Sequence, residues 1–304
     1  MPLHYELSDL RLLLILMRTR SLSASGEAAH LTTSAVSLRL RKLEDGIGAQ
    51  LFTRTGKGLV PTEAGTALAE AAVPILAESA ALDARLNPFS KHDPEPLRIF
   101  SNSTGLQNFL CRIAADYLRE NSSFRAVLTE HRSSLTPEAV LTGEADLGLI
   151  GGIRELSPAY RTKLELVQFV EDRHVVILPR DSSAAQQFKN RPILFAELLN
   201  LRFAALTEAS PMTAAMKERA LAAGFRFEPI IEAPSFSLLV ELVARGPLAA
   251  VVPASAVPPN APVEVRELED SWAARPLAFV LPKARPALPS AIDFVEFALR
   301  TQKR

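Results

Sequence analysis

Hydrophobic and polar positions alternate with helical spacing through the first part of the chain. Residues 21–44 carry the clearest signal, two short helices joined by a tight turn. Ser23 can cap the first, small side chains fill 24–29, and His30-Leu31 closes it. Thr32 is a good N-cap for a second helix reaching about Glu44. On a wheel of about 100° per residue, Val36, Leu40 and Leu43 share one face, with Ala35 at its margin. The other face presents Ser34, Ser37, Leu38 and Arg41, flanked by Thr33 and Lys42. Arg39 lies toward the packed side and reads as a snorkelling structural arginine. Gly46 and Gly48 stop the helix. An apolar anchor, Leu51-Phe52, follows. Arg54 and Lys57 then ride a glycine-rich hairpin tip, and Val60-Pro61-Thr62 opens another helix.

Residues 62–86 read as one long alanine-rich helix with Leu68, Ala72, Ile75 or Leu76, Ser79 and Leu82 as its stripe. Pro74 inside it removes a backbone bond and bends it; two successive helices are the alternative. Residues 87–96 hold three prolines and no periodicity, a linker. Beyond it short apolar runs alternate with helical patterns. Strands are expected at 97–100, 126–129 and 145–150, and helices at 106–120 and 137–143. A second set covers 175–178, 195–199, 203–206, 212–223, 230–231, 236–244 and 249–252. This alternation implies parallel strands with crossover helices in two small α/β lobes.

Charge sharpens the N-terminal picture. The whole chain is neutral, with 34 basic and 34 acidic residues. From Arg11 to Lys57, however, eight cations face only Glu27, Glu44 and Asp45. A helix face of small hydroxyls plus a basic residue suits a major groove, and hairpin cations suit phosphates. The bland alternative is a helical hairpin whose polar face meets water.

Residues 10–65 resemble the DNA-binding domain of LysR-type transcriptional regulators. The likeness rests on SLSASGEAAHLTTSAVS, Leu43-Glu44, Gly48, Leu51-Phe52-x-Arg54 and Pro61-Thr62-x-x-Gly65. Thr33 and Leu38 stand where that family commonly has Gln and Arg, so the likeness implies groove binding but no particular operator. It implies a multidomain α plus α/β protein. A winged helix-turn-helix occupies 1–61, a linker and dimerisation helix 62–86, a hinge linker 87–96 and an effector-binding domain 97–304. That last domain is two-lobed and periplasmic-binding-protein-like. Lobe I is about 97–165 and 271–304, lobe II about 166–270, with crossings near 164–171 and 263–270 and a strand returning at 275–282. DNA-contact candidates are Thr32, Thr33, Ser34, Ser37, Leu38, Arg41, Lys42, Arg54 and Lys57. The partners implied are double-stranded operator DNA, a small metabolite effector, a second copy of the chain as homodimer or homotetramer, and RNA polymerase.

Ligands in open α/β sheets sit at the carboxyl ends of strands. The first lobe strand runs into Ser101, Asn102, Ser103 and Thr104, where an anion or carboxylate can be held, one of Ser103 or Thr104 serving as an N-cap. Thr207, Ser210 and Phe236, with Gly151, are the other wall candidates. An enzyme is disfavoured: no G-x-S-x-G elbow, phosphate loop or dinucleotide glycine spacing occurs, and catalytic residues are none. His4, His30, His92, His131 and His174 are scattered, so neither a metal nor a cofactor is expected. A pure solute-binding protein would leave the wing unused. Cys111 is expected to be a small buried residue in a helix, with a redox thiol as the alternative. No apolar run reads as long enough for a bilayer, so a cytoplasmic, non-membrane protein is expected.

Overall fold

Apolar residues at helical spacing wind residues 7–19 into α1 (Leu7–Thr19), whose Leu10, Leu13 and Leu16 are fully enclosed. The computed structural model describes residues 5–56, 58–86, 95–153, 156–189, 191–208, 210–283 and 287–302. Arg20 closes α1 in the left-handed region, φ 52, and leaves Ser21 extended. Helix α2 (Leu22–Ala29) therefore starts two residues early, and Ser21, not Ser23, is its N-cap. Helix α3 (Thr33–Ile47) is capped by Thr32, whose hydroxyl accepts from the Ala35 N–H at 3.2 Å. Gly46 stays helical; Gly48, at φ 77, stops the helix three residues beyond the expected end. Val36, Leu40 and Leu43 close the core with α1 and the hairpin β1 (Phe52–Thr55) and β2 (Gly58–Pro61). Leu51 and Phe52 anchor that hairpin through the Glu44 carboxylate, which accepts both backbone N–H groups, the first at 2.8 Å.

Helix α4 (Glu63–Leu86) runs unbroken through Pro74, which excludes two successive helices. Its expected stripe divides. Ala72 and Leu76 are buried on the trihelical core, whereas Ile75 and Leu82 point outward. By length and composition Glu63–Asp83 could cross a membrane, contrary to the sequence-based expectation. Its hydropathy rests on alanine, and one face is committed to the N-terminal core. Of the linker at 87–96, only Glu95 and Pro96 are among the described residues.

In lobe I, β3 (Leu97–Ser101) leads into α5 (Ser103–Gly105), a π-turn (Leu106–Leu110) and α6 (Cys111–Glu120). Next come β4 (Ala126–Glu130), α7 (Thr136–Leu141), β5 (Leu147–Gly151), α8 (Pro158–Lys163) and β6 (Leu164–Glu171). Lobe II holds β7 (His174–Pro179), α9 (Ser183–Gln187), a 3-10 turn at Phe195–Leu198, β8 (Ala204–Leu206), α10 (Pro211–Ala222) and β9 (Ile231–Ala233). It continues with α11 (Phe236–Arg245), β10 (Ala250–Pro253) and β11 (Val263–Glu267). Strand β12 (Pro276–Pro282) and α12 (Pro289–Gln302) return to lobe I.

The lobe I sheet has the order β4-β3-β5-β12-β6. Only β4, β3 and β5 are parallel; β12 lies antiparallel to both β5 and β6. Lobe II has an antiparallel β10-β7-β11 sheet and a parallel β8-β9 pair. The all-parallel expectation thus fails where the chain returns. The crossings move too. Residues 164–171 form β6, paired along its whole length with β12, and 263–267 form β11, paired with β7. A boundary at 165/166 would cut a strand; the chain instead changes lobes at Asp172-Arg173 and in the stretch before Arg275. Each lobe carries two apolar clusters, so both faces of each sheet are covered. Cys111 is exposed on α6, not buried.

Candidate nucleic-acid interface and ligand cleft

With its aliphatic side sealed, α3 turns Thr33, Ser34, Leu38, Arg41 and Lys42 to solvent, with Ser37 half-buried. Thr32 is exposed and its hydroxyl shares a 3.0 Å hydrogen bond with that of Ser34. From the hairpin, Arg54 Nη2 donates to Ser37 Oγ at 3.1 Å. The hairpin therefore lies against the outward face of α3 and sets a cation beside its hydroxyls. Lys57 falls outside the described residues. Gly58 makes this placement possible. Its φ of 118 suits glycine alone, and a Cβ there would stand 2.5 Å from the Arg20 carbonyl oxygen. That carbonyl accepts the Leu59 N–H at 2.8 Å, stitching the hairpin to the end of α1. Arg39 reaches Ser8 at 3.4 Å and Asp9 at 3.9 Å, the structural role read from its position on the wheel.

The polar loop after β3 is more committed than a free binding loop. Ser101 is fully buried and donates to the Leu149 carbonyl at 2.7 Å. Asn102, rather than Ser103 or Thr104, caps the helix, accepting from the Gly105 N–H at 2.9 Å while its amide donates to Ser133 Oγ at 2.9 Å. Ser103 is half-buried and Thr104 buried. Gly151 ends β5 beside this loop, because β3 and β5 pair with Ser101 opposite Leu149. In lobe II, Thr207 follows β8, Ser210 precedes α10 without a capping bond from its side chain, and Phe236 opens α11 after Ser235. The eight residues thus form two groups, one on each lobe, and no hydrogen bond joins the groups among the described residues. None of the eight lines either of two cavities of about 360 Å³. One is an apolar hollow around Ile230, Leu238 and Leu242 on lobe II; the other lies at the crossings, around Phe109, Asp172 and Ser255.

The crossings hold residues that belong to no sequence motif. Asp172 accepts from the Ser255 N–H at 3.2 Å and hydroxyl at 2.9 Å, and its own N–H donates to the Arg275 carbonyl at 2.9 Å. Asn108 of lobe I donates to Ser255 Oγ of lobe II at 3.0 Å. Burial, helped by Arg275 and Arg219, holds His174 down at about 4. His131, at the exit of β4 against Phe100 and hydrogen-bonded to Thr136 at 3.2 Å, is likewise lowered to about 4, first by burial and then by Arg18. Burial raises Glu138, which accepts from the Tyr160 hydroxyl at 3.5 Å. A charged residue poised just before an apolar strand, as in Arg275-Pro276, was the available sequence signal. Among the described residues no cluster of three His, Cys, Asp or Glu side chains could hold a metal ion.

Residues 90–303 match the family described as the LysR substrate binding domain, and residues 7–66 that described as the bacterial regulatory helix-turn-helix protein, lysR family. The chain belongs to the LysR family. Family and relatives are regulatory rather than catalytic. The LysR-type chain is 31% identical over 146 residues to the HTH-type transcriptional activator IlvY of Salmonella typhimurium, covering 48% of this chain and 50% of that protein. The chain thus spans about half the length of that relative. It is 30% identical over 216 residues to the RuBisCO operon transcriptional regulator of Allochromatium vinosum, covering 71% of this chain and 68% of that one. A full-length OxyR variant of Pseudomonas aeruginosa shares the fold at a TM-score of 0.62 and 20% identity, over 98% of this chain and 95% of that chain. CbnR complexed with its target DNA shares it at 0.53 and 18%, over 98% and 100%.

Proposed function

We propose that this LysR-family chain is a sequence-specific transcriptional regulator of double-stranded operator DNA, modulated by a small-molecule effector held between its two α/β lobes. The observation that carries this is the outward face of α3, where hydroxyls of Ser34 and Ser37 stand with Arg41, Lys42 and the hairpin's Arg54 over a sealed core. Short hydroxyl side chains let a helix approach base edges and phosphates closely, and the flanking cations exchange condensed counterions for phosphate contacts. Leu38, 56% exposed, supplies apolar contact rather than a hydrogen bond, such as to a thymine methyl. The protein acts in the cytoplasm as a homodimer or homotetramer through α4, presenting paired recognition helices to a dyad-symmetric site, with RNA polymerase as a further partner.

Effector binding shifts DNA contacts only by its differential affinity for two arrangements of the molecule. The Asp172–Ser255–Asn108 chain joins the two lobes at the crossings, so a second arrangement of the lobes would have to break it or carry it along. The test is fluorescence anisotropy on the DNA flanking the protein's own gene, titrated with salt. Arg54→Ala is expected to weaken binding to all sequences and reduce the logarithmic salt slope by about one. An unchanged slope removes the hairpin from the phosphate contacts.

A further inference from the structure

Five large apolar side chains fall on α3, and the core takes four of them. Val36, Leu40 and Leu43 are buried in the trihelical cluster and Ile47 packs against it, whereas Leu38 stands outside, 56% exposed. At helical spacing its surface neighbours are Ser34, Ala35, Arg41 and Lys42. Ser34, Arg41 and Lys42 are exposed as well, so an apolar side chain is ringed by polar and cationic ones. Arg54 brings a third cation from the hairpin, held at Ser37, the next residue along the helix. Of the two acids that follow, Glu44 is turned inward to the Leu51 and Phe52 N–H groups, and Asp45 is exposed a turn beyond Arg41. An apolar protein surface seated on Leu38 would strip water from three cations; a polyanion compensates all three.

The hydroxyls beside Leu38 are already engaged. Ser34 shares a 3.0 Å hydrogen bond with Thr32, and Ser37 accepts from Arg54 at 3.1 Å. These bonds lock the helix start and the hairpin to α3, which sets the depth at which Leu38 meets a groove. The leucine itself has neither donor nor acceptor. In the major groove one base feature is apolar, the C5 methyl of thymine, and the minor groove offers none.

We propose that Leu38 reads a C5 methyl group in each operator half-site, so that thymine and 5-methylcytosine satisfy it equally and uracil and cytosine do not. The proposal rests on the regulator reading above and deepens it, naming the chemical group recognised at one position. Thymine and cytosine differ at an exocyclic atom, O4 against N4, which a leucine cannot tell apart by hydrogen bonding. For Leu38 they differ only in the methyl. Methylating a cytosine at this position therefore creates the contact, and removing the thymine methyl abolishes it. Burying one methyl group corresponds to about a fourfold change in affinity for each half-site.

The test uses the full-length protein and a duplex it selects from a randomised pool, followed by fluorescence anisotropy at fixed salt. Each thymine of the selected site is replaced by deoxyuridine, in both half-sites at once. One position is expected to lose about fourfold per half-site, roughly sixteenfold for the symmetric pair. At that position 5-methylcytosine paired with guanine should bind tighter than unmethylated cytosine by about the same factor. Leu38→Gln keeps the length and helix preference of the side chain but replaces its apolar end, and should bind thymine and uracil duplexes alike. Its melting temperature should match wild type, because the residue lies outside the core. Three results overturn the proposal: a uracil scan flat at every position, 5-methylcytosine no better than cytosine at the sensitive one, or a thymine preference undiminished in Leu38→Gln. The two readings fail differently. If the pool yields no sequence bound above competitor DNA, the regulator reading falls and takes this one with it; if a sequence is enriched and the uracil scan is flat, only the Leu38 contact falls.

Discussion

His174 shows how one residue's surroundings become a property of the fold. Burial first, then the fields of Arg275 and Arg219, bring its folded value to about 4, below the roughly 6.5 of an unfolded histidine. On acidification the unfolded chain takes up the proton first, so stability present at neutral pH is lost as pH falls from about 6.5 to 4, and no further below. The expected cost is about 2 kcal/mol between pH 7 and pH 5, measured by urea unfolding at both. His174→Gln should flatten that dependence; an equal loss in the variant rules His174 out as its source. His131 adds in the same direction but less, being only half enclosed. Capping was legible at Thr32 and misread at Ser23 and Ser103 or Thr104. Which of several adjacent hydroxyls or amides caps a helix depends on where the preceding segment ends, and β3 ends where its pairing with β5 ends.

At the scale of elements, α3 was readable because its i, i+3 and i+4 neighbours decide its faces locally. Helix α4 was harder. Its alanine-rich sequence offers several weak stripes, and the trihelical core chose the one through Ala69, Ala72 and Leu76. Ile75, Leu82 and Leu86 remain outward at 37%, 54% and 54% exposure. A helix with one apolar face buried in its own domain and a second exposed suits pairing with a copy of itself. Replacing Ile75 and Leu82 together by Glu is expected to leave the helical signal intact while sedimentation shows the monomer mass. A dimer that persists moves the interface elsewhere.

At the scale of the whole molecule, α4 also touches lobe I. Gly143, at φ 74, lies so near Ala80 that an added Cβ would stand 2.3 Å from the Ala80 Cβ. Val73 packs onto the lobe cluster of Phe100 and Val140. Gly143→Ala therefore meets both a backbone penalty and a clash, and is expected to lower stability by about 1–3 kcal/mol. DNA affinity should stay close to wild type, because the trihelical core is untouched. Denaturant unfolding beside anisotropy checks both halves, and unchanged unfolding would show that the contact is absent in solution.

Local order alone determined the helix-turn-helix, the hairpin after it, the long helix and the presence of two α/β lobes, since periodicity, caps and glycine stops act within a few residues. Tertiary structure decided which strands are antiparallel, where the chain crosses between lobes, and that Cys111 faces outward. It also set Asp172, Ser255, His174 and Arg275 together from distant stretches. Strand partners and buried charge balance depend on contacts across tens to hundreds of residues, and no window along the chain contains both sides of them.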